Sequence, residues 1–405
     1  MVGLLALAPA AHADSLGASV DYLAAHQDRP TGGFSSGRPG AAVNHAYSAW
    51  AALAVAAARE APRHWSPGRG SLSDALARLP EEPRLNDLLR AAVAARAAGS
   101  NPRRVLAVDP VPVIRAAQAA DGSIGGGLST TAWSVFALRA SGVGSRDTAI
   151  EKAASAIRSA QRGDGGWVAS GQRRSDVITT ATAIQALAAT GARPANDAGV
   201  RRARSYLVRA LRRDGGFGVR RGRRSRAIPS AWAALAIAAI GERSGAGRWA
   251  KGGGPLRYLV RSVGADGGLR AANLATGDPP LLAQALATIA LARRPLPFVS
   301  RGRRRVVRHE PRVLAREPAP RGRVTGPLIV QYRDDHTGTG IDPARVRLRV
   351  DGRNLTLFAR VTPFSLQLPA RFVPPGAQRV RLDLVDQAGN RSRAIWTVLG
   401  PYGGR

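Results

Sequence analysis

A short turn signature recurs along this chain and divides it into units of similar length. Gln161-Arg-Gly-Asp-Gly-Gly-Trp167 is echoed by Gln118-Ala-Ala-Asp-Gly-Ser-Ile124, Leu211-Arg-Arg-Asp-Gly-Gly-Phe217 and Val263-Gly-Ala-Asp-Gly-Gly-Leu269. The aspartates Asp121, Asp164, Asp214 and Asp266 are 43, 50 and 52 residues apart, the spacing of an architecture that repeats one supersecondary unit. Asp closes a turn on its own backbone, and glycines such as Gly165 and Gly166 accept positive φ. Each copy therefore joins two elements.

Alanine-rich apolar stretches follow the turns at 129–142, 178–190, 229–240 and 279–292. A degenerate turn, Thr31-Gly-Gly-Phe34, precedes a similar stretch at 44–58. Shifting 129–142 back by 43 residues superposes it on 86–99, which marks a second unit whose turn has eroded near 76–82. Six helical hairpins are expected. Within their second helices, Ser48-Ala-Trp50, Thr131-Ala-Trp133, Thr180-Ala-Thr182 and Ser230-Ala-Trp232 align column by column. A helix that is apolar nearly all round is buried on most of its surface, whereas the first helices carry charge on one face. The second helices are expected as an inner ring and the first as an outer one. Units that cannot bury their faces alone extend as a solenoid or close on themselves; six suit closure.

The signature Gln161-x-x-Asp164-Gly165-Gly166-Trp167 resembles the repeat of the prenyltransferase and squalene cyclase superfamily. The resemblance covers about residues 15–294 and implies a mainly α fold, an α6/α6 toroid. It also implies a bracing role for Gln118, Gln161, Trp167 and Phe217. In squalene-cyclase-like proteins a proton donor comes from an Asp-x-Asp-Asp-Thr-Ala type motif. The matching stretch here is Asp176-Val-Ile-Thr-Thr-Ala181, in which Ile178 and Thr179 stand where the second and third aspartates would be. Asp176 keeps the first position, and Asp87 and Asp278 are placed in the column of Thr179. These three are the candidates for a displaced acid, although a lone carboxylate at a helix start is usually a cap, as expected of Asp278 before Pro279-Pro280.

The chain has no cysteine, which excludes disulfides, thiolate nucleophiles, a thioester and the Asp-Cys-His zinc site of protein prenyltransferases. His26, His45 and His64 lack metal-ligand spacing, so neither a metal nor a cofactor is expected. The formal net charge is +33, carried almost wholly by arginine, since Lys152 and Lys251 are the only lysines. Arginine in this excess fits a GC-rich genome as well as attraction to anionic polymers or surfaces. No nucleic-acid motif accompanies it. Residues 1–13 hold an apolar run ending in Ala11-His12-Ala13, read as the remnant of a secretory signal. Export to the medium or the cell envelope follows from that reading. No other segment is long and apolar enough to span a bilayer.

Residues 295–323 are rich in Arg and Pro and read as a linker. Beyond it, alternation at 328–332, 346–350, 364–368 and 380–384 predicts short strands, and 324–400 is similar to bacterial immunoglobulin-like β-sandwich modules. Asp334, Asp335 and Asp386 there read as turn formers.

The inner-helix N-termini carry partial positive charge, and Arg173, Arg174, Arg220, Arg221, Arg223, Arg224 and Arg226, with Arg270 in unit six, lie in the loops that lead to them. Together they form a candidate site for a phosphate, diphosphate or carboxylate. Trp50, Trp133 and Trp232 either line an apolar interior or fill it. The sequence thus favours a non-catalytic protein that binds an anionic envelope polymer or lipid, or an isoprenoid-like small molecule. A cyclase with a displaced acid and a purely adhesive surface protein are the alternatives.

Overall fold

The computed structural model describes residues 9–66, 70–78, 83–300, 311–333, 341–385 and 391–401. They form two compact units, 1–305 and 306–405. The first is helical. Its thirteen described α-helices are α1 (Pro9–Ala25), α2 (His45–Ala57), α3 (Leu72–Ala77), α4 (Leu85–Ala97), α5 (Pro102–Val105), α6 (Pro110–Ala116), α7 (Leu128–Ala140), α8 (Thr148–Ser159), α9 (Val177–Ala189), α10 (Ala198–Ala210), α11 (Ala227–Ala239), α12 (Gly254–Ser262) and α13 (Pro280–Leu291).

Six helices pack in a closed cycle: α2 on α4, α4 on α7, α7 on α9, α9 on α11, α11 on α13, and α13 back on α2. They are the six second helices of the repeat. Nearly all residues of α9 and α11 are buried, as their apolar circumference requires. The other partner of each hairpin packs outside: α8 buries Ala149, Ile150, Ala153, Ala154 and Ile157 along one stripe and leaves Glu151, Lys152 and Ser155 exposed. Side-chain caps start α2 at Asn44, α8 at Asp147, α9 at Asp176 and α10 at Asp197.

The turn signature joins neighbouring units as well as the two helices of one unit. Gly122, Gly165, Gly215 and Gly267 have φ between +80° and +88°. A Cβ on Gly165 would lie 2.6 Å from the carbonyl oxygen of Arg202 in the next outer helix, and one on Gly267 would lie 2.1 Å from that of Ala18 in α1. The sixth turn is therefore seated on the first outer helix. The aspartate of each turn accepts from the backbone two residues on, Ser123 N–H to Asp121, Gly166 to Asp164, Gly216 to Asp214 and Gly268 to Asp266, at 2.8–3.0 Å. The glutamine side chain reaches the next unit: Gln161 Nε2 donates to Gly165 O and Gly199 O, and Gln118 Nε2 to Gly122 O and Ala149 O. Trp167 is fully buried, and its indole donates to Ile157 O at 2.6 Å.

The C-terminal end of this unit differs from expectation, while the expected signal remnant at its N-terminal end falls largely outside the described residues. Ala11-His12-Ala13 lies within α1, while residues 1–8 lie outside the described residues. The segment from 295 onward does not begin as a free linker. Leu296, Phe298 and Ser300 are buried, Leu296 N–H donates to Gln185 Oε1 in α9, and Ser300 N–H donates to Ala97 O in α4. Residues 297–299 lie against Arg96, Arg139, Ala140 and Ala189, the last turns of α4, α7 and α9. Those three helices thus bring their C-terminal ends to one side, where the chain crosses over them. Apolar Leu296 and Phe298, placed among the arginines, supply the reason.

The second unit is all β. One antiparallel sheet has the order β1-β2-β6-β5 and the other β4-β3-β7-β8, with β1 Arg312–Glu317, β2 Leu328–Arg333, β3 Arg347–Val350, β4 Arg353–Asn354, β5 Arg360–Val361, β6 Ser365–Leu368, β7 Ala377–Val385 and β8 Arg391–Leu399. Val330, Leu366 and Leu368 of the first sheet share one buried cluster with Leu348, Val380, Leu382, Leu384 and Trp396 of the second. Alternation inward and outward along β7 produces this pattern. Strand β1 lies inside the stretch expected to be linker. Its side chains are mostly exposed, so it carries no apolar alternation to announce it. Asp334, Asp335 and Asp386 lie outside the described residues.

Candidate anion-binding site

The centre of the helical cycle is occupied by side chains. Trp50 from α2, Trp133 from α7 and Trp232 from α11 meet edge to face, with ring centroids 5.3, 6.1 and 6.5 Å apart, the preferred arrangement of aromatic pairs. All three are buried. They come from alternate helices of the cycle. Two residues before each stands a hydroxyl that receives the backbone N–H of the preceding turn: Phe34 to Ser48, Ile124 to Thr131 and Phe217 to Ser230, all at 2.9–3.0 Å. In unit four the same clamp joins Trp167 N–H to Thr180, and in unit six Leu269 N–H to the side chain of Gln284. The sequence columns contained these hydroxyls, but their role as clamps needed the structure. The clamps also fix the register. Two residues on, unit two offers Arg90, unit four Thr182 and unit six Leu286, so the three tryptophans alternate with residues of other kinds.

The candidate acids are engaged elsewhere. Asp176 is buried at the start of α9; its Oδ1 accepts Thr179 N–H at 2.8 Å and its Oδ2 accepts Ala169 N–H at 3.2 Å. Both oxygens hold backbone, one capping the helix and one bracing the loop. Asp87 pairs with Arg90 at 2.7 Å. Asp278 is not in the column of Thr179: the Gln284 clamp aligns Ala283 there. Nor is Asp278 the cap of α13, a position held by Pro279. It closes a turn by accepting Ala275 N–H. The loop from Leu269 to α13 is longer than in the other late units, and an alignment without gaps slips across it.

The arginine loops do converge. Arg162, Arg173, Arg174, Arg209, Arg220, Arg221 and Arg223, with Asp164, Ser175 and Tyr206, line a cavity of 530 Å³ between the turns of units four and five. Three elements build it. The turn at Asp164 supplies one wall, the two loops that follow Trp167 and Phe217 supply the arginines, and α10 supplies Tyr206 and Arg209. Asp164 Oδ1 is already shared by Gly166 N–H and Ser175 Oγ. Tyr206 donates its hydroxyl to Ser175 O at 2.9 Å, and burial, helped by Asp164 and Asp176, pushes its phenol up to about 12. It stays a neutral donor. Arg209 is held by Asp164 O and Arg220 by Gln172 Oε1.

Among the described residues, Arg162, Arg173, Arg174, Arg221 and Arg223 have no carboxylate within ion-pairing distance. The buried Nε of Arg220 has no acceptor there. Guanidinium groups with open forks in one concavity suit phosphate or carboxylate oxygens, which they take two at a time.

The predicted set divides. Arg173, Arg174 and Arg223 line the cavity; Arg224 does not. Arg226 turns away and donates to Ala272 O and Leu274 O, fastening unit five to unit six. Arg220 and Arg221, expected from the same loop as Arg223, line it too, whereas Arg162 of the turn and Arg209 of the outer helix join it only through the packing of the two units. No group of three or more potential metal ligands occurs among the described residues. No described helix is long and apolar enough to cross a membrane.

No protein-family model matches the chain, and no curated protein matches it. Solved structures do. The type II terpene cyclase MstE from Scytonema without ligand matches with a TM-score of 0.52 at 13% identity over 70% of this chain and 98% of that one. A variant of that enzyme in complex with geranylgeranyl dihydroxybenzoate, its substrate, matches with a TM-score of 0.54 at 13% identity over 70% and 97%. The chain therefore carries a helical region with the fold of type II terpene cyclases, joined to an antiparallel β unit.

Proposed function

We propose that this protein binds an anionic ligand at the arginine-lined cavity and does not cyclise terpenes. The carrying observation is the cavity between units four and five, where, among the described residues, five arginines lack a carboxylate partner and one buried guanidinium N–H lacks an acceptor. The filled centre adds support. A cyclase needs an enclosed apolar chamber and a desolvated acid, whereas three tryptophans meet in the middle of this ring and the carboxylate of Asp176 holds two backbone N–H groups. Fold alone does not decide activity. In this reading the helical unit is an α6/α6 toroid kept as a scaffold and the β unit an immunoglobulin-like module. The apolar N-terminal run supports export, which would bring the cavity to anionic envelope components. Titration with inorganic phosphate and diphosphate, followed by calorimetry, tests the reading. Micromolar to millimolar binding that weakens with salt is expected; no binding at low salt refutes it.

The likeness to a substrate-bound cyclase favours a second reading, a cyclase of unusual acid placement. Incubation with squalene and prenyl diphosphates, followed by product analysis, separates the two.

A further inference from the structure

The arginine cavity does not end at its arginines. A second cavity, of 570 Å³, adjoins it and shares Arg162 and Arg173 as common wall. The rest of its lining is Leu128, the first residue of α7, Ala160 after α8, Val168 and Gln172. Leu128 and Val168 are half-buried, and Ala160 is exposed. The Gln172 side-chain oxygen is occupied by Arg220. The two cavities thus differ in chemistry. One offers seven arginines, and the other, beside the two arginines at the shared wall, offers three aliphatic side chains and a carboxamide whose oxygen already accepts from Arg220.

We infer that the site takes a single anionic amphiphile, its phosphate or carboxylate head among Arg173, Arg174, Arg221 and Arg223 and its apolar chain along Leu128, Ala160 and Val168. This rests on the anion-binding reading above and adds the ligand class to it. A purely polyanionic ligand would need cationic groups in both cavities, and the second has only the two arginines at the shared wall. A purely apolar ligand would leave the unpaired guanidinium groups with nothing to meet. Head and chain in one molecule satisfy both halves, and Arg162 and Arg173 stand at the junction.

The test compares inorganic phosphate with butyl, hexyl and octyl phosphate, each below its aggregation limit, on the full chain. Every methylene that enters the groove is expected to raise affinity on the order of threefold until the groove is full. V168N and A160Q are expected to abolish that gain while leaving inorganic phosphate binding unchanged; A160Q alters an exposed position and adds no charge, so it keeps the test valid should V168N unfold. If phosphate and alkyl phosphates bind equally well, the amphiphile proposal falls and the anion site stands. If no anion binds, both fall. If the chain-length gain persists in both variants, the chain lies elsewhere and the proposal is overturned. Phosphatidylglycerol vesicles provide the last arm. Retention on vesicles that octyl phosphate competes away supports a single-molecule site, and retention that it does not displace overturns it in favour of a membrane surface.

Discussion

The centre of the helical unit and the rim between units four and five are made by the same repeat, yet they have opposite characters. In the centre, Trp50, Trp133 and Trp232 meet edge to face at 5.3–6.5 Å. At the rim, the loops after the turns lay arginines around an open cavity with too few carboxylates to neutralise them. Solved structures that share this fold include a substrate-bound cyclase, whereas here guanidinium groups without charge partners among the described residues lie at the rim. Where a protein leaves polar groups without partners, a ligand is the natural completion.

The contrast is broken most forcefully from the centre. Trp133 touches both other tryptophans and Phe136, so W133A is expected to destabilise the helical unit by about 3–5 kcal/mol through lost packing and a residual cavity. Denaturant unfolding measures it. A cost under about 1 kcal/mol would mean that the three rings do not form a packed plug. The turn between centre and rim comes next. Gly165 has φ +88° and lies against Arg202 O, so G165A is expected to cost about 2–4 kcal/mol from left-handed strain and the backbone clash.

That glycine also shows what a sequence can and cannot display. The repeat, its six hairpins and the inner and outer helices were legible, because Asp-Gly-Gly turns and all-round apolar helices are local consequences of local residues. Four strands of the β unit were legible for the same reason. The content of the centre was not. Trp50 and Trp133 are 83 residues apart, and only ring closure decides whether such side chains line a space or fill it. The cavity was half legible: Arg173, Arg174 and Arg223 announced themselves as loop charge, whereas Arg162 and Arg209 became neighbours of that charge only when unit five packed on unit four. The packed segment at 296–300 was hidden because Pro295, Pro297 and the flanking arginines look like linker whatever they touch.

From the rim, the comparison is sharpened by reversing charge where nothing is packed. Arg221 and Arg223 are exposed and line the cavity, so R221E/R223E is expected to reduce phosphate binding more than about tenfold while the thermal midpoint stays within a degree or so. Arg224 is equally exposed but faces elsewhere. R224E is expected to retain binding within about threefold, the residue of long-range attraction alone. Equal losses from the two substitutions would show that general positive charge, and not the cavity, attracts the anion.

The smallest change tests the centre and the rim together. Asp176 stands where the cyclase motif begins, and its two oxygens receive Thr179 N–H and Ala169 N–H. In D176N one of those oxygens becomes an NH2 group, so one of the two N–H groups faces a donor. The cap at Thr179 survives on the amide oxygen, and the loop contact to Ala169 is lost. A destabilisation of about 1–2 kcal/mol is expected, seen as a lower unfolding midpoint, together with slightly weaker anion binding, because Arg173 and Arg174 are carried on the loop that Asp176 braces. An acid that donates a proton to substrate behaves in the opposite way. Its amide would leave stability intact and abolish turnover, so a lowered midpoint paired with only slightly weaker anion binding identifies Asp176 as part of the scaffold.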